Sequence, residues 1–235
     1  APKEIDLQII DSRSLEKVEP TSVQLRCGAS ACQIKDNKFP QCVGGTLIVE
    51  ADGYMPYKQS EISTVDQESI LVNMKRVHTI PVEVQAYTVS GPRVLNQDET
   101  AIITLVGEEY STTLSYPDQT VINLGEGDYE ITGHIFLEGT RTIQGGRSES
   151  CLQVPREHIL GMVGLKKEEC VVSEVDDLVL DSIVVGQSSL TTSFPDFELN
   201  GATKIVFYLD HTGIPQRFED IQRQETVVMS RAPEV

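Results

Sequence analysis

Five cysteines are the residues whose type and spacing carry the most chemistry in this chain. Cys27, Cys32 and Cys42 stand together with four and nine residues between them, while Cys151 and Cys170 lie nineteen apart and far downstream. Thiols so placed can pair as disulfides, ligate zinc as thiolates, or stay buried and reduced, a state that an odd count suits. Zinc would need a fourth ligand. His78, His134, His158 and His211 all lie far from the cluster in sequence, and no Cys-x-x-Cys knuckle is present. The leading expectation is two disulfides and one free thiol, with Cys151 joined to Cys170 and two of Cys27, Cys32 and Cys42 joined to each other. Closing the Cys151–Cys170 loop is worth about 3 kcal/mol in the chain-entropy model. Such bonds imply an oxidising compartment.

Carboxylates offer a second chemistry. Glu174, Asp176, Asp177 and Asp181 form the densest acidic patch. Oxygen ligands could hold calcium there, or a carboxylate pair could hydrolyse a glycoside. Leu178-Val179-Leu180 interrupts the patch, and it lacks the Asp-x-Asp-x-Asp-Gly loop. The chain has no Trp on which a sugar could stack. A solvated turn is the expectation. The histidines are isolated, and a base needs a placed partner. No phosphate loop, His-Glu-x-x-His or Gly-x-Ser-x-Gly is found. Gly125-Glu126-Gly127 precedes a strand, which is the wrong context for cradling phosphate. No catalytic residue, metal or cofactor is expected.

Composition narrows the partners. The 235 residues carry 36 acidic and 19 basic side chains, a formal charge of -17. That balance argues against nucleic acid, whose phosphates call for a basic face, and against anionic lipid. No apolar run reaches the roughly 18 residues that span a bilayer. The chain opens Ala1-Pro2-Lys3, without Met or a signal peptide, so a processed protein or an excised ectodomain is expected, with room for a membrane anchor outside this chain.

Around these residues runs a period-two apolar pattern. Ile5-Asp6-Leu7-Gln8-Ile9, Val23 to Cys27, Thr46 to Ala51 and Ser69 to Met74 read as four strands within residues 1–77. A second series follows: Ile80 to Tyr87, Thr100 to Leu105, Glu109 to Leu114, Gln119 to Leu124 and Tyr129 to Phe136. Further on, Ser182 to Val185, Thr203 to Leu209 and Thr226 to Met229 read as strands. Val154 to Leu165 could open a helix after Pro155, and Pro215 to Gln224 is the best helix candidate, with Phe218 and Ile221 three apart. Strands at such intervals predict an all-β fold of tandem small sandwiches with a short C-terminal helix. The expected division is 1–77 and 78–235, the latter with an irregular, Cys-bounded insertion at about 151–170.

The two series share a Gly-rich turn beside a Tyr: Gly44-Gly45 through Gly53-Tyr54, and Gly125-Glu126-Gly127-Asp128-Tyr129. The first, with Leu47-Ile48-Val49-Glu50-Ala51 before Gly53-Tyr54, resembles the prealbumin-like module of the carboxypeptidase regulatory-like and PEGA families. The other series resembles a degenerate relative of that module. The stretch from Cys151 to Cys170 is similar to a segment of large archaeal surface proteins that carry such modules. The resemblance implies non-catalytic spacers or adhesive units of the cell surface. From this the sequence predicts an extracellular structural or adhesive protein that meets protein partners, or itself, through β-edges. Ile5, Leu7 and Ile9 mark a candidate edge or donor strand. A ligand- or glycan-binding module is the alternative, and a carboxylate-based hydrolase a third.

Overall fold

The computed structural model describes residues 2–155, 166–217, 220 and 231–235. The chain is all-β. Its first unit holds β1 (Lys3–Glu4), β2 (Asp6–Asp11), β3 (Ser22–Cys27), β4 (Ser30–Gln33), β5 (Lys38–Phe39), β6 (Gly45–Glu50), β7 (Tyr57–Ile62) and β8 (Ser69–Met74). The second holds β9 (Val77–Thr88), β10 (Gly91–Val94), β11 (Glu99–Gly107), β12 (Ser111–Tyr116), β13 (Val121–Gly125), β14 (Gly127–Ile143), β15 (Gly146–Pro155), β16 (Lys166–Val175), β17 (Leu178–Phe194), α1 (Asp196–Gly201) and β18 (Ile205–His211).

The alternating sequence is the reason these are strands. In β8, Ile70, Val72 and Met74 face the core while Ser69, Leu71 and Asn73 face out. In β11, Ala101, Ile103 and Leu105 are fully buried between more exposed neighbours. Side chains alternate across a pleat, so each such strand buries one apolar face.

In the first unit β4-β3-β6-β7 form an antiparallel sheet, β2 runs parallel to β8, and β1 pairs briefly with β5. Ile9, Leu25, Val49, Ile62 and Val72 bring both groups of strands into one core. The second unit repeats this order within one eight-stranded sheet, because β17 also pairs with β18 at Gly186↔His211 and Gln187↔Asp210. Its β12-β11-β14-β17 are consecutive neighbours; β9 lies between β13 and β18 and runs parallel to β18. Strand for strand, β9 takes the place of β2, β11 of β3, β14 of β6, β17 of β7 and β18 of β8. A separate core, with Tyr129, Phe194 and Phe207 at its bulky end, fills this unit.

Two features have no counterpart in the first unit: the β15–β16 pair lies between β14 and β17, and α1 lies between β17 and β18. β10 folds back on β9 as Lys17 and Val18 fold back on β2, where Lys17 bridges Ile10 and the Val18 N–H donates to Ile9 O. The β15–β16 pair continues a long ribbon. β14 and β17 pair from Gly127↔Phe194 to Ile143↔Leu178, and β15 and β16 take over at Gly146↔Val175.

Several expectations change. Residues 1–77 hold β1–β8 rather than four strands. β4 and β7 escape the alternation because they are edge strands: Ser30–Gln33 is exposed throughout, and β7 buries only Ile62. The stretch expected to be irregular is regular on both sides, since β15 and β16 pair residue for residue. The predicted helix over 154–165 lies almost wholly outside the described residues, as does the closing strand over 226–229. Of the predicted helix 215–224, Pro215 and Gln216 are irregular and Arg217 bridges Gln144; beyond it only Asp220 is described. The short helix found, α1, lies elsewhere. The Gly-Tyr signals also sit differently: Tyr54 follows β6, whereas Tyr129 opens β14. Since β6 and β14 correspond, the two tyrosines lie at opposite ends of equivalent strands. The repeat is one of strand order, not of that motif.

Candidate functional site

The densest polar constellation lies where the units meet, and it begins at the end of β2. Asp11, only 1% exposed, accepts the backbone N–H of Arg13 at 2.9 Å and of Ser14 at 2.8 Å on Oδ1, which closes the turn leaving the strand. Its Oδ2 accepts the Tyr54 hydroxyl at 3.0 Å and the Arg76 Nε–H. Tyr54 is delivered by a turn in which Gly53 adopts φ 79°, a conformation that favours glycine. Burial pushes the Asp11 carboxyl up. Arg76, the two backbone N–H groups and Tyr54 outweigh it and hold the group well below the usual carboxylate range. Burial and the Asp11 charge raise the Tyr54 phenol.

From that turn Arg13 reaches the second unit. Its Nε lies 2.9 Å from Asp196 Oδ2 and its Nη2 3.5 Å from Glu126. Asp196 is a buried residue in the first turn of α1. Its Oδ1 meets His78 Nε2 at 2.9 Å. Lys75 pairs with Glu109 at 2.7 Å. Met55 of the first unit rests on Gly125 of the second: a Cβ there would lie 2.2 Å from the Met55 sulfur. A cleft of about 510 Å³ opens beside this seam, with Tyr54, Arg76, His78, Thr79, Leu199 and Asn200 in its wall.

This arrangement places a carboxylate against a histidine that the sequence showed as isolated. An Asp-oriented His is half of a general-base system. Here, however, the other carboxylate oxygen is held by Arg13, and the nearby Thr79 hydroxyl donates to Asn123 Oδ1 at 2.7 Å. Among the described residues neither Ser nor Cys lines the cleft. The charges are engaged in joining the units, and what the wall could still bind is a small anion, through Arg76 and His78.

A second buried carboxylate, Glu99, lies in the other unit. Arg93 grips it through both guanidinium ends at 2.6 and 2.7 Å, the Asn96 N–H donates to it at 2.8 Å, and His211 Nε2 lies 3.3 Å away. Burial raises the Glu99 carboxyl, but Arg93, the Asn96 N–H and His211 prevail, and its pKa is lowered.

The residues singled out from sequence fall as follows. Cys27 is bonded to Cys42 and Cys151 to Cys170, while Cys32 is an exposed free thiol on β4. Cys42 is buried, and its N–H donates to the buried Thr64 hydroxyl oxygen at 2.9 Å. Cys151 and Cys170 are directly opposite each other across β15 and β16. Ile5 and Ile9 are core residues and Leu7 packs at its margin. The run is seated within its own unit, parallel to β8, with the Ile5 N–H on Asn37 O at 3.0 Å. It is therefore not a free donor strand. Within the acidic patch Asp177 accepts the Gly145 N–H at 2.8 Å and Asp181 the Thr140 hydroxyl at 3.1 Å, so these two carboxylates serve separate turns. Among the described residues no group of three His, Cys, Asp or Glu is placed to hold a metal. His158 lies outside the described residues. Sequence reading missed Asp11, Asp196, Arg13 and Arg76. One signal was available, the Asp-Ser-Arg-Ser run after an apolar strand, which is turn chemistry.

No family model, curated protein or solved structure matches the chain. The disulfides are consistent with an extracellular protein. No helix among the described residues is long and apolar enough to cross a membrane.

Proposed function

We propose that this chain is a non-catalytic structural or adhesive unit of an extracellular, cell-surface assembly, built from two prealbumin-like β-sandwiches in tandem. The observation that carries the reading is the repeated strand order, combined with a junction whose charged groups are bound to one another across the seam. Two sheets sharing one apolar core are what a small sandwich needs. The Tyr129 hydroxyl, which donates to Gly125 O at 3.0 Å, fits the same architecture, since a tyrosine tied back to the preceding turn fixes a sandwich corner. Tandem modules locked side by side make a stiff spacer, and their unpaired edges are where partners would add.

Two measurements test this. Small-angle scattering should give a single rigid particle whose dimensions stay fixed with salt, and a broad distribution of module separations would count against the spacer. Alkylation of the secreted protein without reductant, read by mass, should find one reactive thiol. Five would remove the extracellular assignment. A ligand-binding reading is favoured by one observation, the cleft walled by Arg76 and His78. A saturable thermal shift with small carboxylates or phosphate, abolished in Arg76→Gln, would support it over the spacer.

A further inference from the structure

The repeated strand order makes β8 and β18 equivalents, and their outer edges differ. On β18, the Val206 N–H donates to Glu234 O at 2.8 Å and the Glu234 N–H returns to Val206 O at 3.1 Å, so the end of the chain covers that edge. Farther along, Asp210 and His211 pair with β17. The edge is covered twice.

Among the described residues β8 has no hydrogen-bonded cover along Ser69–Asn73; β7 comes near it, and Tyr57 and Lys58 share a cleft wall with Asn73. The Asp6 N–H donates to Glu68 O and the Ser12 N–H to Met74 O, so the even-numbered residues of β8 bond to β2. The N–H and C=O groups of Ser69, Leu71 and Asn73 therefore point the other way. Among the described residues β8 pairs with β2 alone. The cover begins only at Lys75, whose carbonyl accepts the Met55 N–H at 2.8 Å. In the middle of the open stretch stands Leu71, 53% exposed. Natural edges are usually guarded by a charge, a proline or a bulge. Ser69, Leu71 and Asn73 supply none of these.

We propose that this edge is a self-association surface and that its occupant is the β8 edge of a second copy of the chain, running antiparallel. This rests on the assembly reading above and names its partner. The register follows from the groups available. An antiparallel pair about a two-fold axis must match residues on the same face, so Leu71 meets the Leu71 of the other copy and Ser69 meets Asn73. Every outward N–H then finds an outward C=O, and the ladder stops where Met55 already occupies Lys75. On the outer face two exposed leucines cover each other. Ser69 against Asn73, and Gln67 against Lys75 beyond them, place no like charges opposite one another, an arrangement that favours cross-strand pairing. The net charge of -17 on each copy opposes association at long range, so added salt should tighten the pair.

The test is sedimentation of the full chain over a wide concentration range at low and moderate salt, with hydrogen exchange on the same samples. The expected result is a reversible dimer that strengthens with salt, and amides of Ser69, Leu71 and Asn73 whose protection rises with concentration. Leu71→Lys sets two charges face to face at the two-fold axis and should weaken the dimer by about tenfold or more. Val106→Lys, an equally exposed site on β11, should leave it unchanged. A dimer indifferent to Leu71→Lys, or one that protects other amides, would overturn this edge while leaving the assembly reading intact. A chain that stays monomeric at millimolar concentration would overturn the edge and count against self-assembly as well.

Discussion

The two units pair their strands in one order, yet they are held by different means. The first has a small core, a disulfide from the end of β3 to buried Cys42, and a buried carboxylate that also ties Tyr54 and Arg76. The second has a larger core with Tyr129, Phe194 and Phe207, a buried carboxylate of its own in Glu99, a β18 edge covered by Glu234, and a disulfide that lies out on the β15–β16 ribbon. One topology thus tolerates two solutions. Both bury a carboxylate gripped by an arginine, Asp11 in the first and Glu99 in the second, so what differs is that the smaller core has a disulfide reaching into it, as expected for small domains.

The largest effect that would break this contrast is expected at Asp11. Asp11→Ala leaves Arg76, the Tyr54 hydroxyl and two N–H groups without their acceptor, and should cost about 3 kcal/mol. Urea unfolding followed by a probe in each unit should show the loss in the first unit; an equal loss in both would mean that they unfold as one.

Next come the disulfides. Replacing Cys27 and Cys42 by Ala should destabilise the first unit by about 3 kcal/mol, the size expected for a loop of that length. The same change at Cys151 and Cys170 should lower global stability by less than about 1 kcal/mol, because both residues are exposed and belong to neither core. Thermal melts of the two double variants check the ranking. The idea that the ribbon is independent of the core fails if they melt alike.

Acid sharpens the comparison further. Asp11 and Glu99 both have lowered pKa values in the folded chain. Each therefore contributes stability that is complete above the ordinary carboxylate range, about 4, and is lost as pH falls through the folded value. Urea midpoints at pH 7, 5 and 3 should drop chiefly over the last interval. Asp11→Asn should flatten the first unit's response and leave the second's unchanged.

The smallest expected effects are at the tyrosines. Tyr129→Phe and Tyr54→Phe each remove one hydroxyl bond and should cost about 1 kcal/mol, Tyr129→Phe in the second unit and Tyr54→Phe in the first. Calorimetry on the two variants would show whether each loss stays in its own unit.

Much of the fold was legible because buried strands advertise themselves. β3, β6, β8, β9 and β11 each bury alternate apolar residues, and a period of two needs no knowledge of partners. β4 and β7 were not legible, since an edge strand with little buried surface has no pattern to show. Pairing of Cys151 with Cys170 follows from proximity in sequence. The choice of Cys42 over Cys32 for Cys27 does not: Cys32 points outward from β4, and Cys42 turns into the core.

The junction belongs to the tertiary structure altogether. Asp11, Tyr54 and Arg76 come from three separate segments, and His78 and Asp196 are 118 residues apart. No local rule links such residues, because what joins them is the burial of a charge that must find partners once water is excluded. The sequence by itself determined the all-β class, the main strands and the strong excess of acidic side chains. These depend on local periodicity and on composition. Only the tertiary structure decided that the two units repeat one strand order, which carboxylates lie buried between strands, and that β18 is paired on both sides while, among the described residues, β8 is paired with β2 alone. Those depend on which distant segments share a boundary with water.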